Sequence, residues 1–506
     1  MARSLLDLPN ETSLGILETL KVQDLLACYA TCRRLHTLIA SSVALQYTIE
    51  LYASGMLDGV RGPHTLPVQD RLDRLRRHTA AWEELRWTNR VSLPHLIGCD
   101  CFPKVSGEVV TFQRDDEDEE ISSLYVQLIP SELRAIEGKF VIHPAPEPSH
   151  LTQIHLDAAQ ELIVFRERTT TFHRLRLRSL FVDEFHPSAW NLGFIDYENL
   201  GLPQQAMFQD VCGDLLIMSP GPREAYPPIL LNWKSGLSEA NGAAVEFGTW
   251  MFLDDRHTLS FVVGKNNPRQ PACLRISALA PANPAEAVPP SYDFVLPECL
   301  KHNIMVHGEA PLGPNFESAH AWRGCFYPDR ADRLITLRAL TSRSAPGFII
   351  DVLASTFTRY IAAHKSAAGE PAVIVPWDAW GTHGARFTAL EFPAVSWTSS
   401  GFRRALWGRS GDSTVLTVLD YCPRRVARAI ARGTATVLHG AEVGAQYTGA
   451  DVGPLHTLLP CIATEFVLPE DLAHERLYAS ICEDGVVFVK RHGQLDIVVD
   501  ACAYTI

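Results

Sequence analysis

The strongest constraint on this chain is a change of hydrophobic period near residue 90. Before it, apolar residues recur three and four apart, as a helix requires. After it they fall into short alternating or β-branched runs separated by Gly, Pro and Asp clusters. One strand–turn–strand unit recurs in this second part: 162–165 with 174–180, 214–218 with 229–233, 258–263 with 273–279, 333–340 with 348–353, 404–407 with 414–419, and 486–490 with 495–499. Residues 109–112 and 124–129 read as earlier strands. Six loosely spaced hairpins in about 400 residues predict a β-propeller of six to eight blades, with further blades expected in 90–160 and 434–482. The fold class is therefore α+β multidomain, a small helical cluster followed by a mainly-β domain. A β-sandwich or an irregular α+β domain is the alternative.

Length and charge narrow the function. A chain of 506 residues is too long for one ordinary domain. Its apolar content of 46% and charged content of 20% are those of a chain that buries a core. Residues 1–90 hold 11 Lys/Arg against 10 Asp/Glu, so of the net charge of −13 the remainder of the chain carries −14. An acidic surface without a basic stripe argues against nucleic acid and against anionic lipid as partners. Asp7, Pro9, Asn10 and Glu11 interrupt the place where a signal peptide needs an apolar run, and no stretch is long enough to span a membrane. The expectation is an intracellular protein, cytoplasmic and/or nuclear, whose twelve cysteines are mostly reduced core thiols.

The first fifty residues carry the clearest pattern. Leu14, Ile16, Leu17 and Leu20 form one apolar stripe behind Pro9. A second helix is expected near Asp24 with Leu25, Leu26, Tyr29 and Cys32, and a third with Leu35, Leu38, Ile39, Val43 and Leu45. Cys28 and Cys32 lie i, i+4 on one face, and two thiols cannot complete a tetrahedral zinc site, so core packing is their reading. In order, LLDLPNETSLGILETLKVQDLLACYATCRRLHTLIA resembles the F-box: Leu8, Pro9 and Glu11 match its opening. Ile16, Leu17 and Leu20 match its first helix, and Asp24, Leu25, Leu26, Cys28, Cys32, Arg33, Leu35, Leu38 and Ile39 the remainder. Thr12 departs from the usual Ile or Leu. The resemblance implies docking on a Skp-type adaptor carried by a cullin scaffold, through Leu8, Pro9, Ile16, Leu17, Leu20 and Leu25. So small a helical unit also has too little core to stand alone.

Residues 66–88 predict one more helix, with Val68, Leu72, Leu75, Trp82 and Leu85 inward. Arg71, Arg74, Arg76 and Arg77 are expected on a solvated, salt-bridged face with Asp70, Asp73, Glu83 and Glu84. The domain reading is 1–53 for the F-box cluster, 54–90 for the linker helix and 91–506 for the β-rich domain. The helix followed by Trp82 and Trp87 resembles large F-box proteins of mushroom-type (basidiomycete) fungi. So do Trp377-x-x-Trp380-Gly381 and the VLDYCP run at 418–423. ILLNWKSG at 229–236 and TVLTVLDY at 414–421 resemble the third strand of a WD-type blade, without its outer Gly-His. Trp377 and Trp380, read in a loop, are either core plugs or a substrate-recognition patch, with core favoured.

Catalytic motifs are missing from the sequence. There is no Walker A loop, dinucleotide fingerprint or His-Glu-x-x-His. Residues 407–411, WGRSG, fall one residue short of a nucleophile elbow and sit where a hairpin turn explains them. The acidic run 115–120 lacks EF-hand spacing and reads as an exposed loop, and Cys99-Asp100-Cys101 has no evident third ligand. The expected function is a non-catalytic adaptor without cofactor or metal, handing an unknown substrate protein to a ubiquitin ligase. A propeller-based hydrolase, or an F-box scaffold without ubiquitin transfer, is the alternative. Three or more His, Asp or Glu converging in the channel would mark the hydrolase.

Overall fold

The computed structural model describes residues 8–59, 66–98, 104–115, 121–144, 150–168, 173–197, 207–219, 228–240, 250–262, 271–279, 290–297, 304–308, 324–339, 348–364, 372–389, 399–410, 413–443, 455–472, 477–492 and 497–506. Four helices open it: α1 (Asn10–Glu18), α2 (Val22–Thr31), α3 (Arg33–Ser41) and α4 (Val43–Ser54). Leu17, Leu25, Leu35, Ile39 and Leu45 fill the space between them, with Cys28 and Cys32 packed at its margin. Burying a side chain of this kind is worth roughly 1.5–3 kcal/mol, so five of them make only a small core. A fifth helix, α5 (Val68–Glu84), lies on α4, and Tyr47, Leu51, Leu72 and Leu75 share a core with Phe326 of the β domain.

The rest is a seven-bladed β-propeller. Blade 1 comprises residues 104–144, blade 2 150–196, blade 3 207–240, blade 4 250–295, blade 5 304–389, blade 6 399–467 and blade 7 477–505. Blades 1 and 2 are joined into one eight-stranded sheet by a single bridge, Ile121↔Leu151. Each blade is apolar on both faces, and a separate hydrophobic core fills each space between neighbours. Leu124 and Ile163 meet between blades 1 and 2, Leu177 and Trp233 between 2 and 3, Cys212 and Phe252 between 3 and 4. Phe294 and Phe387 meet between 4 and 5, Leu334 and Leu419 between 5 and 6, Leu416 and Phe488 between 6 and 7, Phe112 and Val489 between 7 and 1. Seven inter-blade cores arranged in a ring exclude both the sandwich and the irregular α+β alternative.

The ring is closed by the strand Asn89–Ser92, which follows α5. It pairs antiparallel with Ile497–Thr505, from Asn89↔Thr505 to Ser92↔Cys502, and supplies the outer strand of blade 7. The two ends of the propeller sequence thus share one sheet, so closure leaves no gap between last blade and first. This strand straddles the expected boundary at residue 90.

All six expected hairpins are present, and each is the second and third strand of a blade, in blades 2 to 7. The early pair is its counterpart in blade 1. Stretches 229–232 and 413–420 are third strands, as their WD-like pattern implied. Blade 1 lies in 90–160 as expected. Residues 434–482 hold no blade of their own: Cys461–Val467 completes blade 6 and Leu477–Cys482 begins blade 7.

Helices also interrupt the β region, where the sequence pattern shows short alternating or β-branched runs. Between the third and fourth strands of blade 5 come α6 (Ala354–Ala363) and α7 (Trp377–Gly384), and at the same place in blade 6 comes α8 (Pro423–Arg432). The Trp377–Trp380 stretch is therefore a helix rather than a loop. Residues 116–120 of the acidic run and the Cys99-Asp100-Cys101 triplet lie outside the described residues.

Candidate functional site

In an antiparallel blade, the turns joining strands one to two and three to four fall at the same end. The helices cap that end. His78 of α5 reaches the first turn of blade 7, Arg74 reaches the Glu132 carbonyl in the last connection of blade 1, and Tyr47 reaches the Cys325 carbonyl in the first connection of blade 5. From blade 6, α8 meets α4. Arg424 donates to the Tyr52 carbonyl at 3.0 Å and covers its ring, Arg425 donates to the Ser54 carbonyl, and Arg428 pairs with Glu50 at 2.6 Å.

A buried ion network anchors this interface. Arg134 donates to the Phe326 carbonyl at 2.8 Å, to Asp484 at 2.9 Å and to Glu483 at 3.1 Å, and also pairs with Glu108. Arg330 holds the other oxygen of Glu483 at 3.0 Å. Burial pushes the Glu108 carboxyl well up, with Arg134 opposing and Glu483 adding to the rise. Burial would raise Glu483 and Asp484 too, but Arg330 and Arg134 outweigh it at Glu483, and Arg134 and His78 at Asp484, so both stay low. With Glu108 held toward its neutral form, the carboxylates of Glu483 and Asp484 face the guanidinium groups of Arg134 and Arg330. Gly107 belongs to the same design: a Cβ there would stand 2.7 Å from Arg330 Nη2, and its φ of 60° suits glycine. His78 lies in the same closed space, its imidazole held neutral mainly by burial.

The expected adaptor-docking residues divide into two groups. Leu17 and Leu25 are buried inside the helical cluster and hold it together rather than forming its surface. Leu8 and Leu20 are half-buried and Pro9 is exposed. Ile16 is 37% exposed, and Leu26, which sequence reasoning did not single out as a contact, is 36% exposed. Arg34 fixes the entry of the chain, donating to the Leu8 carbonyl at 2.8 Å and to Asn10 at 3.2 Å. Ile16 on α1 and Leu26 on α2 thus leave apolar side chains open on a cluster of small core.

Trp380 takes the core position favoured for it. It is buried between blades 4 and 5, donates from Nε1 to the Val295 carbonyl at 3.2 Å, and meets Phe294 edge-on. Trp377 is half-buried and seals the same core from outside, 4.8 Å from Trp380 between ring centres. Arg71, expected on the solvated face, is buried against Asp58 at 2.5 Å and lies over the Tyr47 ring. Helical spacing alone cannot show that α4 and the first connection of blade 5 cover that side of α5.

Near the first strands of blades 2 and 3, His155 Nε2 approaches Asp210 at 3.7 Å. Burial pushes Asp210 up to about 7, and burial together with Lys104 holds His155 down to about 3. Asp210 accepts from the Val211 and Phe252 N–H groups, tying blade 3 to blade 4, while Asp157 caps its own turn through the Ala159 N–H. Asp210 thus serves the joint between blades 3 and 4. Among the described residues, no three His, Cys, Asp or Glu side chains gather as a metal site would require, and no helix is long and apolar enough to cross a membrane.

Residues 5–49 match the F-box-like family, so the N-terminal helices form an F-box-like domain in front of a propeller. No curated protein matches the chain. Among solved structures, a prolyl endopeptidase is similar at 10% identity and a TM-score of 0.33, over 91% of this chain and 60% of that one. The WD40 domain of Toxoplasma gondii coronin is similar at 7% identity and 0.35, over 83% and 85%. Drosophila Plexin A, in complex with Semaphorin 1b, is similar at 8% and 0.34, over 83% and 87%. At such scores these likenesses say nothing of what the chain does, and the blade count rests on its own strand pairings.

Proposed function

We propose that this chain is a non-catalytic substrate receptor: its F-box docks on a Skp-type adaptor of a cullin-based ubiquitin ligase, and its propeller holds the protein to be modified. One observation carries this reading, namely the F-box-like domain joined to a closed propeller through a buried interface. Ile16, Leu20 and Leu26 beside Leu8 and Pro9 form the docking surface, and Leu17 and Leu25 shape it from within. Because α4, α5 and α8 interlock, substrate and adaptor stand at a fixed separation, which raises the effective concentration of target at the transfer site. Such a protein works in the cytoplasm or nucleus. The Trp82–Trp87 and Trp377–Trp380 patterns support kinship with the mushroom-type fungal F-box proteins.

The test is adaptor capture by the purified full chain. Wild type should retain a Skp-type adaptor, and an I16D/L26D variant should lose it with an unchanged unfolding temperature. No capture by wild type, or equal capture by the variant, would overturn the reading. Reconstitution with the cullin scaffold then separates a receptor from a scaffold that transfers no ubiquitin.

A further inference from the structure

We infer that the connections between third and fourth strands in blades 2 and 3 form a docking surface for a short apolar client segment flanked by basic residues. This deepens the receptor reading above and rests on it. The surface presents Leu192 at 82% exposure and Leu237 at 70%, with Val182, Phe185 and Trp190 more than a third exposed beside them. Scattered exposed hydrophobic residues are ordinary, but these five gather on two adjoining turns.

The patch is built rather than loose. The Trp190 N–H donates to the Trp233 carbonyl at 3.1 Å, joining the two turns. The Trp190 indole lies over Gly236, where a Cβ would come within 2.5 Å of the ring. Phe185 is fixed edge-on against Phe194 at 4.6 Å. Asn191, Leu192 and Gly193 follow one another with φ of 48°, 55° and 85°. Left-handed backbone costs a non-glycine residue roughly 1–2 kcal/mol. Leu192 recovers none of that by burial, so the turn spends stability to hold an aliphatic side chain outward.

Charge selects the occupant. Arg178 is taken by Asp183 at 2.7 Å, Lys234 by Asp214 at 2.6 Å, and Arg174 and Arg176 both by Glu167. Exposed Glu184 and half-buried Asp196 have no cationic partner among the described residues. These nine groups sum to one net negative charge, and the two carboxylates without a cationic partner favour aromatic or aliphatic anchors next to Lys or Arg. Five side chains fall well short of the about 800 Å² per partner of a standard protein–protein interface, so a linear segment fits better than a folded domain. The patch lies at the end of the ring that the F-box helices cap, which places client and adaptor on the same side.

A displayed library of random dodecapeptides, sorted on the purified full chain, tests this. Enriched peptides should combine aromatic or aliphatic residues with Lys or Arg, and should bind L192E/L237E at least about tenfold more weakly. Glu184→Lys should weaken the same peptides several-fold. Both variants should keep the wild-type unfolding temperature and adaptor capture, so failure here leaves the receptor reading standing. The inference is overturned if no peptide is enriched, if selected peptides are acidic, if they bind L192E/L237E as well as wild type, or if the wild type is a dimer that L192E/L237E dissociates.

Discussion

His78 of α5 meets Asp484 of blade 7 at 3.0 Å, Nε2 to Oδ1, with both side chains 1% exposed. The two residues lie 406 positions apart in sequence. They join the helix that leaves the F-box to the blade that closes the ring. Arg134 and Arg403 add positive potential, Phe326 closes one side edge-on, and His78 Nδ1 has no hydrogen-bond partner among the described residues. The imidazole is therefore neutral, with Nε2–H donating.

That protonation state fixes a pH dependence. An unfolded chain protonates His78 near its ordinary value of 6.5, while the folded chain resists to lower pH. As pH falls below about 6.5, the unfolded state binds the extra proton and stability drops. His143 and His155, also lowered by burial, act in the same direction. Asp210, pushed up to about 7, and the raised Glu108 act the other way over the same range, so the reading is a difference: from pH 7.5 to 5.5 the urea midpoint of wild type should decline relative to that of His78→Gln, which keeps a donor for Asp484.

Arg134 is the common cation of three buried carboxyl groups. Arg134→Met should cost roughly 3–5 kcal/mol, the usual penalty for stranding buried charge. Thermal unfolding would show it as a marked fall in melting temperature, with part of the loss recovered at acidic pH once Asp484 and Glu483 take up protons.

Leu25 and Ile16 separate folding from docking. Leu25→Ala should destabilise the helical cluster by roughly 2–5 kcal/mol. Hydrogen exchange should report this as lost protection in α1 to α3, with the blades unaffected. Ile16→Asp should leave exchange unchanged and weaken adaptor capture alone.

Trp380→Ala should destabilise the propeller by roughly 3–5 kcal/mol, because it opens the core between blades 4 and 5. It should leave substrate or peptide binding intact in a stabilised background, as Trp380 faces no open surface. Loss of binding without loss of stability would return Trp380 to the recognition surface.

How much was readable beforehand follows from strand length and burial. Middle strands such as Leu162–Arg168 and Ser413–Asp420 run seven or eight residues with buried positions repeating, so their pattern shows. Edge strands such as Ser399–Ser400, Phe194–Asp196 and Trp250–Phe252 have two or three residues, too few for any period to register. Hence hairpins were legible and the blade number was not.

The sequence by itself determined the F-box-like helices and the hairpin content, because both depend on periodicity between near neighbours. Leu17 and Leu25 were recognisable as apolar stripe positions, but helical spacing cannot say which members of a stripe end up inside. The tertiary structure alone decided that Asn89–Ser92 closes the ring, that Arg71, Arg134 and His78 are buried, and that Trp380 is core. Each depends on partners far away in sequence, and a polar four-residue strand or an isolated arginine carries no local trace of the surface that will cover it. The change of period at residue 90 marked where the N-terminal helices end, and the folded chain shows that same point to be where the propeller is fastened shut.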